Sequence, residues 1–169
     1  MNRSIVMMTA ALACCVTVRA ANPIIQEVKD AYLLRKGDLT KAAEKMPAEG
    51  YDFKPVPEVR TFGQTLAHVA DVQMQLCAAA LGERKSANAA SKTSKADLMA
   101  ALKASFDECD AAFDSMTDAT AFQMIKTGST ERSRLGALLY DATHDTEEYG
   151  YLAMYLRLKN IVPPSTERR

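Results

Sequence analysis

Between Ser94 and Phe113 the apolar side chains recur with a period that only a helix can use. Leu98, Leu102, Phe106, Cys109 and Phe113 fall at i, i+4, i+8, i+11 and i+15. At about 3.6 residues per turn they line one stripe, and such a stripe must be buried against something. Three other stretches answer it. Ile24, Ile25, Val28, Ala31, Tyr32, Leu39, Ala42, Ala43 and Met46 share helical spacing, opened by Asn22-Pro23 as cap and first-turn proline and stopped by Pro47. Thr61 and Gln64 make a capping box, after which Leu66, Val69, Ala70, Gln73 and Cys77 carry a further stripe ending at Gly82. The last helix begins near Thr130–Ser133 and runs to Asn160, because Pro163-Pro164 forbids continuation. No segment alternates with a period of two, and there is no glycine-rich phosphate loop. The expected fold class is all-α, a four-helix bundle.

The connections refine this. Gly37 predicts a local irregularity in the first helix. Residues 47–60, with three prolines and a glycine, read as an extended connection. Residues 118–130 read as a loop with Phe122 and Ile125 tucked against the bundle. The connector GERKSANAASKTS is polar, and about 12 extended residues reach about 40 Å, against about 30 Å for a 20-residue helix. That length predicts a long crossover that sets helices two and three parallel. Cys77 and Cys109 then lie at nearly equal heights, about 16 and about 15 residues into their helices, with Cα atoms within about 7 Å and able to form a disulfide. The alternative for the pair is two small buried apolar residues.

The first twenty residues carry Arg3, an apolar run from Ile5 to Val18, and small residues at Val18 and Ala20. This is the pattern of a signal peptide cleaved after Ala20, which leaves residues 21–169 as one domain. Lipoprotein processing at Cys14 is the lesser alternative. The expected location is periplasmic or secreted, and an oxidising compartment would allow Cys77 and Cys109 to pair. The apolar run is short for a membrane span of about 20 residues, so no stable span is expected in the mature chain. Removing Arg3 and Arg19 takes the balance from 21 basic and 21 acidic residues to 19 and 21. That excludes the basic footprint of a nucleic-acid binder.

Only two histidines occur. His144 and Glu148 sit one turn apart on the last helix, with Ala137, Tyr140, Tyr151, Leu152 and Tyr155 on or beside the same stripe. An ionisable pair on an inward stripe needs a partner, for which a metal is one candidate. His68, at the edge of the helix-two stripe, is a further ligand candidate. Asp71, Asp145 and Glu147 are nearby substitutes or supporting groups. Tyr151 and Tyr155 are supporting groups too, although such tyrosines are more often core packing than catalytic acids. Nothing cationic lies at helical spacing from Cys77 to activate it as a nucleophile.

Several segments together resemble the DinB/YfiT-like superfamily: FKPVPEVRTFGQTLAHVAD, the AALGE turn, KASFDECDAAF and HDTEEYGYLAMYLRLKNIVPP. The resemblance spans roughly Pro23 to Pro164. It implies a four-helix bundle with an unusual long crossover and three histidines around a divalent metal, one on helix two and two at i, i+4 on helix four. His68 and His144 match two of these positions, while Glu148 stands where the third histidine is usual. A His-His-Glu set still suits a divalent ion, with Zn, Ni, Mn and Fe all open. Characterised relatives include thiol-dependent transferases and an isomerase. The resemblance therefore implies a metal-dependent hydrolase or thiol-dependent transferase acting on a small-molecule substrate, and a homodimer. No catalytic residue is indicated. The rival reading is a non-catalytic exported binding or scaffold module that has lost the metal.

Overall fold

Asn22 caps the first helix through a hydrogen bond accepted from Ile24 N at 3.0 Å, and Pro23 fills the first turn, where its missing N–H is harmless. The computed structural model describes residues 22–167. Proposed signal residues 1–20 lie outside that range. In chain order the elements are α1 (Pro23–Lys45), a 3₁₀ turn (Ala48–Gly50), α2 (Phe62–Leu81), a second 3₁₀ turn (Ala89–Ser91) and α3 (Lys95–Asp114). Then follow α4 (Asp118–Ala121), strands β1 (Met124–Thr127) and β2 (Thr130–Ser133), α5 (Arg134–Leu158) and α6 (Pro164–Glu167).

The four long helices form the bundle, and α2 and α3 run parallel as the connector length implies. Ser105 Oγ donates to Gln73 Oε1 at 2.7 Å, and Cys77 is joined to Cys109 with Cα atoms 4.9 Å apart. Both pairs are 32 residues apart in sequence, so the two helices advance together. Helices α2 and α5 are antiparallel: going up α2 from Gln73 to Cys77, the partner on α5 falls from Asp145 to Asp141. The crossover is pinned on the way by Asp71, whose two carboxylate oxygens each accept a backbone N–H, from Ala89 and Ala90, at 2.9 Å. Gly82 ends α2 with φ +84°, a conformation that costs glycine little.

Five expectations are corrected. Gly37 does not interrupt α1, which is continuous because the helix is held on both sides by buried Tyr32, Leu39, Ala42 and Ala43. Residues 118–130, read as loop, hold the short α4 and strand β1, and Thr130–Ser133, read as the start of the last helix, is β2, so that 124–133 form an antiparallel hairpin closed at Thr127 and Thr130 with Gly128 at φ +65°. Phe122 is 61% exposed, not tucked away, whereas Ile125 does pack against the core. Tyr140 and Tyr151 are exposed beside a stripe on which Ala137, Leu152 and Tyr155 are buried. No helix among the described residues is long and apolar enough to cross a membrane.

Candidate metal centre

The capping box of Thr61 and Gln64 starts α2 at a defined residue, with Gln64 N donating to Thr61 Oγ1 at 3.1 Å and Thr61 N donating to Gln64 Oε1 at 2.9 Å. Two turns on, this places His68 against α5. There His144 and Glu148 rise one above the other at i, i+4, the spacing that brings side chains together on a helix. His68 Nε2 and His144 Nε2 are 3.1 Å apart, a hydrogen bond in which one ring donates and the other accepts. Glu148 Oε1 lies 3.7 Å from His68 Nε2 and 3.8 Å from His144 Nε2. Those separations put the three atoms on a circle of about 2.1 Å radius, matching ligand bonds of about 2.0–2.2 Å. The donor triangle thus fits a divalent metal ion.

The environment favours neutral imidazoles, the form that ligates. Burial lowers the His144 pKa, and burial with the Arg60 and His144 charges lowers that of His68. Burial raises the pKa of Glu148, against the pull of His144 and Arg60. The side chains are graded in exposure at 31% for His68, 10% for His144 and 6% for Glu148, so the set opens to solvent on the α2 side. His144 Nδ1 and Glu148 Oε2 are buried and have no hydrogen-bond partner.

Of the supporting residues, Asp145 is buried below the centre. One of its oxygens accepts from Gln73 Nε2 at 3.4 Å, and the other lies 3.9 Å from His144 Nδ1, beyond hydrogen-bond reach. Burial, then the charge of Glu148, pushes its carboxyl up to about 8, with Arg35 opposing. Asp71 is not at the centre but holds the crossover. Tyr151 donates to Glu147 Oε1 at 3.2 Å on the surface, and Tyr155 donates to the Arg60 carbonyl at 3.0 Å.

Asp141 is not singled out by sequence reasoning, and Arg60 enters it only within the DinB/YfiT-like resemblance, as the arginine before helix two and not as a site residue. Arg60 Nη1 reaches 3.6 Å from Glu148 Oε1 out of the proline-rich segment. The one signal for it is an arginine just before a capping box, eight residues ahead of His68. Asp141 shares a second cluster of ligand-type atoms with Cys77 and Cys109, but the two sulfurs there are bonded to each other.

The arrangement has relatives. A model of the DinB superfamily matches residues 33–152, most of the chain. The chain belongs to the DinB superfamily. His68, His144 and Glu148 all lie inside the matched residues. Two solved DinB-like proteins share the fold. One, from Bacillus cereus, has 12% identity and a TM-score of 0.72, covering 83% of this chain and 95% of its own. The other, from Bacillus subtilis, has 15% identity and a TM-score of 0.63, covering 82% and 92%. No curated protein matches in sequence. DinB membership accounts for the helical bundle and is in keeping with a metal centre between α2 and α5.

Proposed function

We propose that this DinB-superfamily protein binds one divalent cation through His68, His144 and Glu148 and acts there on a small molecule, by thiol transfer or hydrolysis. One observation carries the reading: three ligand-type atoms from two helices lie about one metal–ligand bond length from a common point. Two imidazoles and one carboxylate suit Zn, Ni, Mn or Fe. Bound there, such a cation supplies Lewis acidity to the small molecule. The chain's own part is positional. α5 holds His144 and Glu148 in fixed register, burial keeps the rings neutral, and the more exposed His68 marks the side from which a substrate enters.

A second reading has one observation in its favour. His68 and His144 already hydrogen-bond each other through their Nε2 atoms, and Glu148 Oε1 already faces Arg60, so the three atoms that would hold a metal have partners within the chain. On that reading the protein is an exported, non-catalytic binding or scaffold module.

Metal analysis separates the two. Protein purified without chelator is expected to carry about one equivalent of metal, and adding Zn, Ni or Mn to the stripped protein should raise its melting temperature. His144→Ala should weaken the metal by more than about a hundredfold. Glu148→His, which completes three histidines, should preserve or tighten it. Absence of bound metal together with an unmoved melting temperature would leave the scaffold reading in its place.

A further inference from the structure

The guanidinium of Arg60 stands at the mouth of the centre with its donors unused. Its side chain is 50% exposed, and among the described residues its one ion pair is with Glu148 at 3.6 Å and its guanidinium makes no hydrogen bond. The backbone behind it is fixed. Buried Tyr155, packed edge-on to Phe53 with ring centroids 6.0 Å apart, holds the Arg60 carbonyl. Thr61, the next residue, is committed to the α2 cap. The cation is therefore delivered from an anchored point rather than from a loose loop.

Glu147, whose carboxylate accepts from Tyr151, is the opposing charge at the rim. Glu148 Oε1, the atom nearest Arg60, is also a corner of the donor triangle, so a metal would take over that oxygen and leave the guanidinium fork without an acid.

We infer that Arg60 binds a carboxylate of the substrate, so that the small molecule handled at this centre is an organic acid. The planar fork matches a carboxylate in two parallel hydrogen bonds. A single arginine at a centre that already carries the Glu148 carboxylate suits one negative charge better than the higher charge of a phosphate monoester. This assignment rests on the proposed metal centre and adds the class of ligand that the centre selects.

Cobalt(II)-loaded protein, titrated with acetate and separately with neutral imidazole while the visible absorption of the cobalt is followed, tests it. Arg60→Gln is expected to weaken acetate by about tenfold or more, the loss of a charge-assisted hydrogen-bond pair. Imidazole affinity and cobalt stoichiometry should stay within about twofold, because neither needs the guanidinium. Arg60→Lys, which keeps the charge without the fork, should fall between. Equal acetate affinity in wild type and Arg60→Gln overturns the assignment while leaving the metal centre standing. Failure of the wild type to take up cobalt removes the centre, and the assignment with it.

Discussion

Asp141 has no exposed surface, one oxygen without a partner, and the other 3.7 Å from Cys109 Sγ and 3.9 Å from Cys77 Sγ. An ionised carboxylate in such a place would be very costly, so the group stays protonated. Burial first and the Asp145 charge second raise its pKa well above the ordinary 3.8. The unfolded chain gives up this proton near 3.8, whereas the folded chain keeps it. The stability it contributes is therefore complete below that value and lost as the pH rises through the raised folded value. Asp141→Asn mimics the neutral acid and removes the titration. In metal-free protein its urea midpoint should fall less than the wild type's between about pH 5 and about pH 9. A wild-type midpoint that does not fall over that range would show that Asp141 ionises freely. Asp141, Asp145 and Glu148 recur at i, i+4, i+7, but aspartates at helical spacing normally read as a solvated face. Only packing against α2 shows that these face inward.

The α2–α3 pair is the most extensive helix contact in the bundle, and its parallel course is closed at both ends. Near its start Gly63 is tightly enclosed: an added Cβ would meet Leu98 Cδ1 and the Tyr51 carbonyl oxygen at 3.2 Å, and those neighbours would have to give by a few tenths of an ångström. Toward the other end lies the Cys77–Cys109 bond, which ties residues 32 apart in sequence. A loop of that size predicts a contribution of about 3–4 kcal/mol, mostly from restricting the unfolded chain. Cys77→Ala with Cys109→Ala should lower the unfolding free energy by that amount in urea, and reductant should then have no further effect. Reduction that leaves wild-type stability unchanged would argue against the staple. The hairpin shows the limit of periodicity at this scale. β1 and β2 have four residues each, too few for an alternation to stand out, and the cross-strand pairing that defines them joins residues up to nine apart.

For the molecule as a whole, we propose that residues 1–20 direct export and are removed. N-terminal sequencing of protein from its native host should then begin at or near Ala21, and an intact Met1 in the cytosol would refute it. The sequence by itself determined the helical class and the helix caps, because each depends on residues within a turn or two of one another. It also determined the parallel α2–α3 course, because a connector longer than a helix has a definite reach. The i, i+4 spacing of His144 and Glu148 was legible for the same local reason. Other features were decided by the tertiary structure alone: His68 at 3.1 Å from His144, Arg60 over Glu148, Tyr155 on the Arg60 backbone, and Asp71 on the crossover instead of at the centre. Periodicity states which face of a helix is buried; what that face meets depends on how far each helix slides and turns against its neighbours, and that is set by the packing of the entire core.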